Sequence, residues 1–202
     1  MLRILSTLLV FMKISFVIAS NSFEYGLICS GNFTYTHGEF NDSKSITSVP
    51  RQSLGLGGHI CLNITRDIGL KFEMMYTSKG SQNGFRGEER EELKFHYLEM
   101  PLMIKYSFGK PYLLAGAYYS VLLSAQQFLA SDDKIQLTDD FNSIDKGFVS
   151  GLGISVPLEG TQNCFLLEFQ YLQGLSNIIH SELYKKNSLI NHIFSLKVGF
   201  FF

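Results

Sequence analysis

His192-Ile193-Phe194-Ser195-Leu196-Lys197-Val198-Gly199-Phe200-Phe201-Phe202 decides how the chain is read. Successive side chains on an extended strand point to opposite faces. One face of this stretch holds His192, Phe194, Leu196, Val198, Phe200 and Phe202. The other holds Ile193, Ser195, Lys197, Gly199 and Phe201. An apolar row set against a mixed polar row is the pattern of a strand with two different environments.

The same period runs upstream. Phe165, Leu167, Phe169 and Tyr171 oppose Leu166, Glu168, Gln170 and Leu172. Leu98, Met100, Leu102, Ile104 and Tyr106 oppose Tyr97, Glu99, Pro101, Met103 and Lys105. Ile68, Leu70, Phe72, Met74 and Tyr76 oppose Gly69, Lys71, Glu73, Met75 and Thr77. Further alternating stretches start near Phe23, Ser53, Tyr112 and Phe148, which makes about eight strands. Each is near the ~9–11 residues that cross a membrane as a tilted strand. No helical period follows residue 20.

Periodicity alone leaves open which face is inside. A soluble sandwich or lipocalin-like barrel would turn the apolar rows inward. Two features favour the reverse. The connections alternate in length. Long polar segments (Thr36 to Arg51, Gly80 to Glu92, Gln126 to Lys146, Asn177 to Asn191) alternate with tight turns at Thr65-Arg66-Asp67, Gly109-Lys110 and Glu159 to Asn163. Outer-membrane barrels have this long–short order, with the short turns periplasmic. The polar face is also rich in Gly, which suits a narrow lumen where side chains converge and weakens an exposed strand. The expected fold is therefore all-β: an eight-stranded antiparallel up-and-down transmembrane β-barrel with both termini periplasmic.

Composition agrees. Of 202 residues, 46% are hydrophobic and only 17% are charged, below the roughly 25% of soluble domains. Seventeen Lys+Arg against eighteen Asp+Glu give a net charge of −1, which argues against a nucleic-acid partner. Residues 1–19 read as a secretory signal peptide: Arg3, an apolar stretch interrupted by Lys13, then Val17-Ile18-Ala19 as a small-residue cleavage site. The mature barrel domain is then 20–202.

Charges on the inward face must find partners. Lys71, Glu73, Glu99, Lys105, Glu168 and Lys197 form the expected luminal polar network. If the strands around Arg86 pair symmetrically, Glu73 lies across from Glu99, with Lys71, Lys105 and Lys197 as candidate cations. Glu168 and Lys197 meet across the last hairpin. An eight-stranded interior is just filled by side chains, so open diffusion of solutes is not expected.

Residue sets for catalysis or cofactor binding are missing. His180-Ser181 are adjacent and point apart on an extended chain. His192 is followed two positions later by Phe194, not by Ser. His59 and Cys61 share the luminal face, but two ligands do not make a zinc site. Asp132-Asp133 and Asp139-Asp140 lack a calcium-loop spacing. Cys29 (lipid face), Cys61 (lumen) and Cys164 (strand start) read as free thiols. No cofactor, metal or enzymatic activity is expected.

An alternating last strand that ends in Phe resembles the signal that outer-membrane barrels show to their assembly machinery. That resemblance gives this role to Phe194, Leu196, Val198, Phe200 and Phe202. Tyr97-Leu98-Glu99-Met100-Pro101-Leu102-Met103-Ile104-Lys105-Tyr106 followed by Pro111-Tyr112-Leu113-Leu114-Ala115-Gly116 resembles the PorT-like outer-membrane β-barrel family. So do Leu70–Tyr76 with Lys79-Gly80, and Asp139-Asp140-Phe141 ahead of Gly151-Leu152-Gly153. The resemblance implies a Gram-negative, Bacteroidetes-like outer membrane. It implies as partners outer-membrane lipid, the barrel-assembly machinery, and other envelope or secretion proteins. The leading expectation is a non-enzymatic barrel whose external loops contact the environment or a partner. The alternatives are a secretion-system accessory, a lipid-modifying enzyme and a soluble ligand-binding barrel.

Overall fold

A computed structural model describes residues 23–40, 44–47, 49–82, 92–128, 134–161, 163–179 and 188–202. The signal-peptide segment lies outside these residues, as do His180-Ser181 and Asp132-Asp133. The strands are β1 (Phe23–Phe40), β2 (Lys44–Thr47), β3 (Val49–Asn63), β4 (Ile68–Gln82) and β5 (Glu92–Ser107), then β6 (Pro111–Phe128), β7 (Lys134–Gln136), β8 (Ile144–Pro157), β9 (Cys164–Gly174) and β10 (Ser188–Phe201). β2 and β7 are short partners of β1 and β6. The other eight form one antiparallel wall in the order β1-β3-β4-β5-β6-β8-β9-β10, and β10 pairs back with β1 from Gly26↔Phe201 to Glu39↔Ser188. The sheet is closed.

The register fixes the barrel's shape. A row of paired residues runs from Glu24 through Cys61, Lys71, Met103, Gly116, Val149, Leu172 and Ile193. It returns to β1 at Thr34, ten residues beyond its start. For eight strands, a stagger of ten tilts them by about 41° and sets the radius at about 8 Å. An interior that narrow is filled by side chains.

The apolar rows face outward. Leu27, Leu54, Leu56, Leu102, Ile104, Leu152 and Leu196 are exposed, while the alternate positions are buried. Aromatic residues bound this surface at both ends. Near the short turns, Phe202 lies 5.9 Å from Tyr25 and 5.0 Å from Phe200, which lies 5.2 Å from Phe165. Toward the long loops, His192 stacks on Tyr35 at 4.9 Å, Tyr171 on Phe194 at 4.8 Å and Tyr76 on His96 at 5.6 Å. Tyr25 and Tyr35 are ten residues apart on β1, about 25 Å along the axis at this tilt. That is the height of the apolar band of an outer-membrane barrel. Among the described residues, outward positions between the two aromatic belts carry no Asp, Glu, Lys or Arg.

Three tight turns join strands at one end. Gly109 and Gly160 take positive φ of 92° and 79° there, a conformation that costs Gly no steric strain. At the other end the strands run further than the apolar alternation indicates, up to 18 residues in β1 and β6. Pairing continues past the upper belt, where Leu93, Phe95 and Leu189 face the interior. The β3–β4 ladder breaks between Pro50 and Gly55. Side chains bond across the break: Thr34 Oγ1 donates to the Gly80 carbonyl at 2.9 Å, and Ser53 Oγ donates to that of Ser78 at 2.5 Å.

Candidate functional site: a charged lumen

The inward row of β4 is Lys71, Glu73, Met75, Thr77 and Lys79. Alternation places all five in the lumen, and ties to them come from the opposite wall. Lys71 Nζ lies 2.9 Å from Glu73 Oε1 and also pairs with Glu168 Oε1 of β9. Lys197 Nζ of β10 lies 2.5 Å from Glu73 Oε2. Tyr112 donates its hydroxyl to Glu168 at 2.6 Å. Gln170 Nε2 donates to Glu168 Oε2 at 2.8 Å and Glu73 Oε1 at 3.1 Å. The four ions are at most 2% exposed. Burying each costs several kcal/mol unless charge and hydrogen bonds compensate. Two ammonium groups against two carboxylates, with neutral donors on the carboxylates, supply that compensation.

A second cluster lies nearer the long loops. Lys79 Nζ is 2.9 Å from Glu99 Oε2 and 3.1 Å from Asp145 Oδ2, and it donates to Ser120 Oγ at 3.3 Å. It sits 4.7 Å and 4.8 Å from the ring centroids of Tyr97 and Tyr118, close enough for cation–π attraction. Asp145 also accepts from Tyr118 Oη (3.2 Å), Ser176 Oγ (3.2 Å) and Asn191 Nδ2 (3.0 Å). Between the clusters, Ser195 Oγ donates to Asn32 Oδ1 at 2.7 Å, and Asn32 Nδ2 donates to Thr77 Oγ1 at 3.1 Å. Each of these ties has an end on β4 or leads to one.

At the short-turn end Lys105 Nζ lies 3.4 Å from Glu24 Oε2, and Asn63 Nδ2 donates to Glu24 Oε1 at 2.8 Å. His59, Cys61, Lys71, Ser155 and Phe201 line a small recess here of about 10 Å³, room for roughly one water. No group of three His, Cys, Asp or Glu among the described residues is placed to hold a metal ion. Cys29, Cys61 and Cys164 are free, and respectively exposed, buried and half-buried.

These positions correct the expected pairings. Met75 pairs with Glu99 and Phe72 with Leu102, so Glu73 is two residues out of step with Glu99 and the ladder does not centre on Arg86. The partner of Glu99 is Lys79, which the sequence reading left outside the network. Asp145 also lies outside the expected network, within the long polar segment Gln126 to Lys146. Continued parity marks both residues: 71-73-75-77-79 on β4 and 145-147-149 on β8. Glu168 and Lys197 are ladder partners, yet each bonds to β4 instead. Lys105 takes Glu24. Phe194, Leu196, Val198 and Phe202 project outward, between 37% and 53% exposed, with Phe200 in the same row.

Comparison with known proteins adds to this geometry. A search of curated proteins finds no match. Among solved structures, the chain is similar to the outer membrane protein OprG from Pseudomonas aeruginosa, at 14% identity and a TM-score of 0.54, covering 90% of this chain and 95% of that one. It is also similar to the outer membrane protein AlkL, at 14% identity and a TM-score of 0.50, covering 90% of each. At such identities the likeness is one of fold. The model of the outer membrane protein beta-barrel domain matches residues 18–180, most of the chain. Closed wall, outward apolar band and family match agree: the chain belongs to the outer membrane protein beta-barrel domain family and is an outer-membrane barrel.

Proposed function

We propose that the protein is a non-enzymatic barrel that holds its long connections at the cell surface for contact with the environment or a partner, and that it is of the PorT-like kind. The observation that carries this reading is the filled lumen. Ion pairs occupy the middle, and buried apolar residues occupy the long-loop end, so the wall works as an anchor and not as a conduit. The histidines near the outer belt also support it. His96 and His192 are bound by the Tyr76 and Tyr171 hydroxyls at 2.7 and 2.9 Å, which occupies them in wall contacts. On this reading both termini are periplasmic, and the Phe194–Phe202 row is what the assembly machinery recognises.

Protease shaving of intact cells, with the cut sites mapped, tests the orientation. Cuts are expected within 41–48, 83–91, 129–133 and 180–187, and cuts at the tight turns would overturn it. Photo-crosslinking from those same segments tests the contact role. Adducts with envelope or extracellular macromolecules are expected. A deletion strain that loses secreted proteins would favour the secretion-accessory reading instead.

A further inference from the structure

Above Lys79 the interior turns apolar. Leu93, Phe95 and Leu122 of the wall pack on Phe141, Ile178 and Ile179, and the Phe95 and Phe141 rings meet edge to face at 4.7 Å. The last three residues belong to no wall strand. They come from the segments that follow a 3-10 turn at Thr138–Asp140 and the end of β9, and one isolated bridge, Phe141↔Ile179, joins them. Asn142 holds the two segments together. Its backbone N–H donates to the Ile178 carbonyl at 2.8 Å, and its Nδ2 donates to the carbonyls of Asn177 at 2.8 Å and Ile179 at 3.0 Å. Asn177 Oδ1 accepts from the N–H groups of Ile179 (3.1 Å) and Leu189 (2.9 Å).

We infer that residues 138–142 and 177–179 form a lid over the lumen that opens as a unit while the wall stays closed, with Asn142 joining its two segments and Asn177, which accepts from the Leu189 N–H of β10, as its latch. Local stability follows local bonding. The wall strands are held by backbone ladders on both sides, whereas the lid is tied to the wall by a few hydrogen bonds (Ala125 N–H to Thr138 Oγ1 at 3.1 Å, Ile178 N–H to the Leu189 carbonyl at 3.0 Å, Leu189 N–H to Asn177 Oδ1 at 2.9 Å) and by apolar contact. Closed, the lid keeps water from Lys79 and Asp145, which are both fully buried. Open, it gives the long-loop side access to that ion pair.

The test uses the full mature chain in detergent micelles, with Cys29, Cys61 and Cys164 replaced by Ala and single cysteines introduced. Ala125→Cys lies in the lid's apolar contact, Leu172→Cys deep in the lumen and Ser143→Cys on the exposed surface. Each is reacted with a charged, membrane-impermeant thiol reagent. Ala125→Cys should react more slowly than Ser143→Cys and faster than Leu172→Cys. Adding Asn177→Ala removes the Oδ1 that accepts from the Ile179 and Leu189 N–H groups and should speed Ala125→Cys about tenfold or more, with the other two sites unchanged. Asn142→Ala, which parts the two segments of the lid, is the second latch variant and is read in the same way. An unchanged Ala125→Cys rate in both latch variants overturns the proposal. So does an equal acceleration of Leu172→Cys, which would mean that the whole barrel loosens.

Discussion

Lys197 and Glu168 face each other across the β9–β10 ladder, yet neither neutralises the other. Lys197 reaches across the lumen to Glu73 at 2.5 Å, and Glu168 reaches Lys71. The last hairpin is thereby joined to β4 on the opposite wall, and the four ions act as one unit.

Removing one member leaves the others uncompensated. Lys197→Met and Glu73→Gln should each destabilise the barrel by about 3–5 kcal/mol. Replacing all four ions by apolar residues of similar volume should be neutral or stabilising, by as much as about 1–4 kcal/mol. Urea unfolding midpoints in lipid vesicles separate these outcomes. Equal losses for the single and the fourfold variants would contradict the unit.

Lys79→Met should cost as much, because Glu99 and Asp145 both lose their ammonium partner. Asp145→Asn should cost less than Lys79→Met, since Lys79 keeps Glu99. The same unfolding measurement ranks the two, and the reverse order would show that Glu99 contributes little.

Depth on the outer face should scale the cost of a charge. Leu56→Lys, between the belts on β3, should lose about 2–4 kcal/mol, while Tyr106→Lys at the short-turn belt should lose about 0–1 kcal/mol. Similar losses at both positions would contradict the placement of the bilayer.

Glycines on the two faces should respond oppositely. A Cβ on Gly116 would stand 2.0 Å from the Leu102 carbonyl oxygen, whereas one on Gly31 meets nothing within 4 Å. Gly116→Ala should therefore lose about 1–3 kcal/mol. Gly31→Ala should gain about 0.4–1 kcal/mol through the unfolded chain. Folded yield by heat-modifiable gel migration, followed by unfolding curves, gives both signs.

Strand faces were legible in the sequence because a period of two leaves no choice once one apolar row is placed. Every alternating stretch from Phe23 to Phe202 faces the way its parity indicates. The tight turns were legible too, since Gly109 and Gly160 mark them. Register was not. Slipping one strand past another by two residues keeps every side chain on its own face, so nothing in the alternation separates Glu73↔Glu99 from the observed Met75↔Glu99. Strand ends were also hidden. Beyond the belts the wall needs no apolar row, so Lys79 lay past the end of the alternating row and Asp145 within the long segment Gln126 to Lys146. Asn142 and Asn177 carried no signal at all, because their roles come from backbone carbonyls and N–H groups that only the fold brings together.

The convergence of ties on β4 bears on the order of events during synthesis. Lys71, Glu73 and Lys79 emerge early, while Asp145, Glu168 and Lys197 arrive in the second half of the chain. A nascent barrel short of its final hairpin would carry naked ions and an open sheet edge into hydrocarbon, which solvates neither. Insertion and ring closure should then occur in a single concerted event, with no long-lived partial form in the bilayer.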